Sequence, residues 1–199
     1  MTKLAIFAHF SPDNTIEDYV IYYLRELKKV VDDIIFVSDC NVVENELEKI
    51  KKYTTKIIAK THGEYDFGSY KYGYLFAKEN KLLENLDELI FANDSCYAPL
   101  YDFKILFKNM NSKNCDYWGI TANPNGIDYL NKEKNELIST KDYHIQSYFL
   151  CFKKQIFQNT EFDKFMQNIK KEKNKIDVII NYEIGLSKLL NKYNFKPKW

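Results

Sequence analysis

Leu4-Ala5-Ile6-Phe7-Ala8, Ile34-Ile35-Phe36-Val37 and Lys56-Ile57-Ile58-Ala59 are three short apolar runs, and what lies between them decides the fold. Runs of this length, rich in Ile, Val and Phe, suit strands buried on both faces. After the first run, Ser11-Pro12-Asp13-Asn14-Thr15 reads as a turn and helix cap. Apolar residues then recur at Ile16, Val20, Leu24, Leu27 and Val31, with Glu17, Asp18, Arg25, Glu26, Lys28 and Lys29 on the other side. That is the stripe of an amphipathic helix. A short helix over 44–52 precedes the third run. Strands that alternate with helices have crossovers favouring a parallel sheet, and such sheets bind ligands at the carboxyl ends of their strands. The expected class is α/β, a mostly parallel central sheet flanked by helices.

Working outward, Glu88-Leu89-Ile90-Phe91-Ala92 is a fourth strand that delivers Asn93-Asp94-Ser95 at its carboxyl end. Pro99 is expected to open the next helix, with the stripe Leu100, Phe103, Leu106, Phe107 and Met110. Tyr117-Trp118-Gly119-Ile120-Thr121 reads as a strand, and the polar stretch 122–141, with the turn Pro124-Asn125-Gly126, as a loop or hairpin insertion. A strand at 147–152 and helices near 161–170 and 177–193 complete the pattern. The length of 199 residues suits one α/β domain.

Apolar residues make up 45% of the chain, and 16 Tyr and 14 Phe against 6 Gly and 4 Pro imply an aromatic-crowded core and a sugar-facing surface. Twenty-nine basic and 28 acidic residues leave a net charge of +1, which offers no electrostatic footprint for nucleic acid. Cys40, Cys96, Cys115 and Cys151 are widely spaced without a Cys-x-x-Cys pair, as in a reducing cytoplasm and without structural zinc. The apolar stretch at the N-terminus is too short for a signal peptide, and no run reaches the roughly 18 residues of a membrane span. A cytoplasmic protein is expected.

Three constellations can carry chemistry. In Gly63-Glu64-Tyr65-Asp66-Phe67-Gly68-Ser69-Tyr70-Lys71, Gly68 lets backbone approach a ligand, a helix start offers N–H groups to phosphate, Lys71 neutralises charge and Asp66 can bond a base or ribose. A tight turn with an Asp cap explains the same residues equally well. In Asn93-Asp94-Ser95, a carboxylate at a strand end can hold Mg²⁺ or Mn²⁺ against a diphosphate, although a helix-capping turn is the commoner meaning of such a triplet. Tyr143-His144-Ile145-Gln146-Ser147-Tyr148 offers imidazole, amide and hydroxyl groups of the kind sugar hydroxyls need, and Glu183 in Tyr182-Glu183-Ile184-Gly185 is a candidate general base. No hydrolase triad order, metalloprotease motif or P-loop is present. The missing Gly-x-Gly-x-x-G after the first strand weighs against a Rossmann-like oxidoreductase.

Taken together, 65–71, Asn93-Asp94-Ser95 with Pro99, Asp116-Tyr117-Trp118-Gly119, 144–149 and 182–185 resemble, in order and spacing, the rhamnan synthesis protein F family. The resemblance covers nearly the whole chain. It implies a GT-A-like fold with a Rossmann-type sheet and a hexosyltransferase-type glycosyltransferase of rhamnan, O-antigen (lipopolysaccharide) or capsule assembly. The sugar would be rhamnose or another deoxyhexose from a nucleotide-sugar donor, and the acceptor a glycan or lipid-linked glycan at the inner face of the cell membrane. Residues 1–95 would form the nucleotide-sugar half and 96–199 the acceptor half of one domain, itself compatible with a longer enzyme.

The site residues implied are Glu183 as base, Asp94 as catalytic metal ligand, and Ala8, His9, Asp66, Gly68, Ser69, Lys71, Asn93, Ser95, Trp118, His144 and Gln146 around the substrates. Mg²⁺ or Mn²⁺ is the implied cofactor. The chain departs from the pattern in having one Asp where the metal motif has two, which loosens the expectation of strict metal dependence. Ala98 stands where Gly is expected, and 192–195 lacks an expected Gly. A non-catalytic carbohydrate-binding or scaffold protein of the same fold is the alternative.

Overall fold

The computed structural model describes residues 1–124, 127–131, 136–140 and 143–199, with backbone alone at 127–131 and 136–140. Asn125 and Gly126 of the expected turn, and Asp142, lie outside the described residues. The elements in order are β1 (Lys3–His9), α1 (Asp18–Leu27), β2 (Asp33–Ser38), α2 (Glu44–Glu48), β3 (Lys56–Ala59), α3 (Tyr65–Glu79), β4 (Glu88–Asn93), α4 (Phe103–Asn111) and β5 (Tyr117–Gly119). There follow β6 (Ala122–Asn123), β7 (Ile127–Asn131), β8 (Glu136–Thr140), β9 (His144–Ile145), β10 (Phe149–Lys153), α5 (Lys154–Phe157), α6 (Thr160–Gln167) and α7 (Lys175–Val178). A π-helical stretch (Ile179–Ile184), α8 (Gly185–Lys192) and β11 (Pro197–Lys198) end the chain.

Seven strands form one sheet in the order β11-β5-β10-β4-β1-β2-β3. The pairs β1·β2, β2·β3, β1·β4 and β5·β11 are parallel, and β10 runs antiparallel to both β4 and β5. The sheet is therefore mostly parallel with one reversed strand inside it. The insertion between β5 and β10 contains the antiparallel hairpin β7·β8 and the small pair β6·β9.

Alternation along the strands separates two cores. Leu4, Ile6, Ala8, Ile35, Val37, Leu89 and Phe91 face α3, α5, α6 and α8. Ala5, Phe7, Ile34, Phe36, Ile90 and Ala92 face α1 and α4. A strand covered on both faces needs apolar residues at odd and even positions alike, which is why these strands read as continuous runs. Aromatic rings fill both layers: Tyr70 stacks on Phe91 at 4.5 Å between centroids, and Phe7 meets Tyr23 edge-on at 5.0 Å. Each fully buried ring contributes on the order of 1.5–3 kcal/mol.

Several boundaries differ from the sequence reading. Helix α1 begins at Asp18 with Glu17 as an N-cap that makes no side-chain cap bond, so 11–15 is a turn and not the cap. The Ser11 and Thr15 hydroxyls bond Glu17 Oε1 instead, at 3.0 and 3.3 Å. Asp66 to Lys71 lie inside α3, not in a loop ahead of a helix. Helix α4 begins at Phe103, capped by Asp102 accepting from the Lys104 N–H, so Pro99 does not open it and Leu100 is 87% exposed.

Candidate active site

From β1 the chain passes outward to β2 and β3 and then returns to β4 on the other side of β1. The carboxyl ends of β1 and β4 thus flank a topological switch point, where α/β sheets leave a crevice. A cleft of about 590 Å³ opens there. Ala8, His9 and Phe10 enter it from β1, and Asn93, Asp94 and Ser95 from β4. Asp39 lines it from the loop after β2, Gly63 from the loop ahead of α3, and Tyr65, Asp66 and Ser69 from the start of α3, with Lys171, Glu172 and Lys173 from the segment between α6 and α7 and Lys175 from the first position of α7.

Asp94 staples the two strand ends: its Oδ2 accepts the Phe10 N–H at 2.9 Å. Burial pushes its carboxyl up to about 6, and the nearby Glu17 and Asp66 push the same way. His9 is buried, with Nδ1 2.9 Å from Ser38 Oγ. Its Nε2 has no hydrogen-bond partner among the described residues, facing Glu17 Oε2 at 3.8 Å and Asp94 Oδ2 at 3.9 Å, beyond hydrogen-bonding reach. Burial lowers the His9 pKa, only partly offset by Glu17, so the ring is neutral at pH 7.

Behind the cleft lies a chain of polar groups. Asn93 Nδ2 donates to Asp66 Oδ2 at 3.2 Å, and that oxygen is 3.3 Å from Ser147 Oγ. Glu183 Oε2 accepts both the Ser147 N–H, at 2.7 Å, and the Ser147 hydroxyl, while Glu183 Oε1 lies 3.2 Å from His144 Nε2. Ser147 has one hydroxyl proton, which goes to Glu183; the Asp66 contact is then a hydrogen bond only if Asp66 carries a proton of its own. Burial, and next the charge of Glu183, raise the Asp66 pKa. Burial works to raise Glu183 as well, but hydrogen bonds from His144 and Ser147 outweigh it and hold the carboxyl below its ordinary value.

A second grouping resembles a hydrolase triad. His62 Nε2 lies 3.0 Å from Ser69 Oγ, and His62 Nδ1 lies 3.5 Å from Asp39 Oδ2. The Glu64 N–H donates to Nδ1 at 3.0 Å, so Nδ1 is an acceptor and the ring proton sits on Nε2. His62 therefore donates to Ser69 and cannot take its proton. Asp39 instead accepts the His62 and Gly63 N–H groups at 2.6 and 2.7 Å, pinning the loop ahead of α3.

Of the residues singled out in the sequence, Ala8, His9, Asp66, Ser69, Asn93, Asp94 and Ser95 meet in the cleft. Glu183 and His144 stand one layer behind, joined to it through Ser147 and Asp66. The others are engaged elsewhere. Lys71 pairs with Glu64 and donates to the Ile169 carbonyl at 2.9 Å. Gly68 is buried where a Cβ would collide with Glu64 and crowd the His62 ring, so its glycine serves packing. Trp118 is 1% exposed, packed against Phe107 and Phe149 in the core. Gln146 Oε1 accepts the Thr121 hydroxyl at 2.6 Å. The cleft-lining residues missed from sequence are chiefly Phe10, Asp39, Tyr65 and the lysines of 171–175; the one available signal was the run Lys170-Lys171-Glu172-Lys173-Asn174-Lys175, which reads as a solvated loop.

A seven-stranded, mostly parallel sheet with a cleft at the β1/β4 switch point defines a GT-A-like α/β protein. Residues 34–199 match the family described as Rhamnan synthesis protein F, and the chain belongs to that family. Uncharacterized protein y4gN of Sinorhizobium fredii (strain NBRC 101917 / NGR234) is 26% identical over 185 residues, covering 93% of this chain; the chain spans 45% of that relative's length. Among solved structures, 4-diphosphocytidyl-2C-methyl-D-erythritol synthase of Anaerococcus prevotii DSM 20548 is similar with TM-score 0.51 and 16% identity, over 91% of this chain and 82% of that one. A second 4-diphosphocytidyl-2C-methyl-D-erythritol synthase gives TM-score 0.54 and 12% identity, over 98% and 86%. At these identities the likeness is one of fold.

Proposed function

We propose that residues 1–199 form a glycosyltransferase domain that binds a nucleotide sugar in the β1/β4 cleft and transfers the sugar to a surface-polysaccharide acceptor. The observation that carries this reading is the convergence of Ala8, His9, Asp66, Asn93 and Asp94 on one cleft at the switch point of the sheet. Membership of the rhamnan synthesis protein F family supports rhamnan, O-antigen or capsule assembly as the setting, and rhamnose or another deoxyhexose as the sugar. Residues 1–95 then supply most of the donor site and 96–199 the acceptor side. Among the described residues no helix is long and apolar enough to cross a membrane. Peripheral contact with a lipid-linked acceptor at the inner face belongs to the same proposal and follows from the family setting alone.

The metal reading fits in one mode. Among the described residues no three His, Cys, Asp or Glu side chains are grouped to cage a cation. A single carboxylate is enough when substrate phosphates complete the shell, and Asp94, at the strand end, is the residue that would hold Mg²⁺ or Mn²⁺ in that way. Bound there, the ion would supply positive charge to the leaving diphosphate. The protein's own contribution is to hold Asp94 rigid through Phe10 and to offer the unpartnered His9 Nε2 beside it.

Glu183 is proposed to act through Ser147 and Asp66. Held ionised by His144 and Ser147, Glu183 places its charge behind the Asp66 carboxylate and so raises the proton affinity of that carboxylate in the cleft. Asp66 then takes the proton of the acceptor hydroxyl as that oxygen bonds the anomeric carbon and the diphosphate departs. In this arrangement Asp66 touches the substrate and Glu183 positions and powers it. Assaying hydrolysis and transfer across a panel of nucleotide sugars, with and without divalent metal, tests the proposal. Turnover of at least one donor is expected; binding without turnover of any would point to the scaffold alternative.

A further inference from the structure

The segment between α6 and α7, with the first residue of α7, brings Lys171, Lys173 and Lys175 to a cleft whose other titratable lining is His9, Tyr65, Glu172 and the carboxyls of Asp39, Asp66 and Asp94. These lysines are exposed, yet the backbone that carries them is fixed. The Ile169 carbonyl accepts Lys71 Nζ at 2.9 Å, with Ile169 itself buried. The Tyr182 hydroxyl accepts the Lys170 N–H at 3.1 Å and donates to Glu172 Oε1 at 2.7 Å. Asn181 Nδ2 adds a bond to the same Glu172 oxygen at 3.1 Å, and Asn174 Oδ1 accepts the Asp177 N–H at 3.0 Å. On the facing side, Gly63 has φ +67°, and a Cβ there would lie 3.1 Å from Lys171 Nζ, so the amine reaches across to the loop ahead of α3.

An anion entering a cleft lined by carboxylates is repelled unless cations face it, and flexible lysines on a pinned loop suit a phosphate that is held as a point charge. We propose that Lys171, Lys173 and Lys175 form a cationic strap that grips the diphosphate of the ligand, and that Lys71 and Tyr182 are positioning residues that hold the strap over the cleft. The strap supplies a charge-neutralising element alongside the single Asp94. This inference rests on the reading of the cleft as a donor site. Its geometry also predicts a measurable affinity for inorganic pyrophosphate itself.

Calorimetry with pyrophosphate and with UDP, GDP, CDP and dTDP, at two salt concentrations, tests it on wild type and on the K171Q/K173Q/K175Q triple variant. The triple variant should lose about tenfold or more in affinity for pyrophosphate and for whichever nucleotide binds, with a flatter salt dependence and an unchanged melting temperature. K71M should weaken binding less and speed hydrogen exchange of amides 169–174, a readout that loss of a ligand contact alone does not move. Unaltered pyrophosphate and nucleotide affinity in the triple variant overturns the strap, as does wild-type protein that binds neither. Lysine-dependent pyrophosphate binding, with no nucleoside diphosphate bound more tightly, would leave the strap standing and remove the nucleotide-sugar reading.

Discussion

Asp94 sets stability against use. Its carboxyl titrates at about 6 in the fold against an ordinary 3.8, so between those values the native state holds a proton that the unfolded chain has released. Stability from this group is therefore greatest at low pH and falls as pH rises from about 4 to 6, by roughly 3 kcal/mol for a shift of about two units. Asp94→Asn removes the charge while its amide oxygen still accepts the Phe10 N–H. It should melt higher than wild type at pH 7, the difference closing toward pH 4, and should abolish transfer. Equal melting at every pH would show that the charge is not destabilised; near-normal transfer would end the metal role. Glu183→Gln should keep nucleotide affinity and lower the transfer rate by about 10²-fold, provided thermal melting shows a folded variant. A loss confined to nucleotide affinity would make it a binding residue. Asp94 and Asp66 were legible because one ends a plain apolar strand and the other opens a short cluster of polar and small residues. The distance of Glu183 from the cleft was not legible, since only folding puts Ser147 between the two carboxylates.

Helix α3 brings Tyr65, Asp66 and Ser69 to the cleft, and its closest fit against β1 is at Gly73. Gly73 faces Ile6, where a Cβ would collide with the isoleucine side chain. Gly73→Ala should cost about 1–3 kcal/mol of stability and lower the melting temperature by several degrees, read by thermal unfolding. It should also weaken donor binding by shifting Asp66 and Ser69; an unperturbed melting curve would mean that the contact relaxes freely. At the start of the helix Tyr65 sits at φ 58°, a left-handed conformation that is uncommon without glycine, and it lines the cleft. Tyr65→Gly should therefore leave stability unchanged or raise it by about 1 kcal/mol while reducing ligand affinity, both measurable on one preparation. These boundaries were hard to read because Gly63 and Gly68 look like loop residues. Gly68 is helical, and its missing side chain makes room for Glu64 and His62. The π-helical stretch that carries Glu183 is hidden likewise, because an apolar stripe at helical spacing does not record one widened turn.

Over the whole molecule, alternation of apolar runs and amphipathic stripes was enough to imply a mostly parallel sheet with its ligand site at the carboxyl ends of the strands, but not the order β3-β2-β1-β4 that puts the crevice between β1 and β4. It did not reveal that β10 inserts antiparallel between β4 and β5, since a fully buried strand reads alike in either direction. Nor did it reveal that a lysine run about a hundred residues beyond Lys71 returns to the same cleft, because such a run has the composition of a solvated loop. A nucleotide diphosphate held in this cleft would lie between Asp94 and the 171–175 segment. Crystals soaked with Mn²⁺ and each of UDP, GDP, CDP and dTDP, with anomalous data collected at the manganese edge, test that most directly. For at least one nucleotide, an anomalous peak is expected within bonding distance of an Asp94 oxygen, with phosphate density reaching toward Lys171, Lys173 or Lys175; an ordered nucleotide elsewhere on the molecule, with the β1/β4 cleft empty, would contradict this placement.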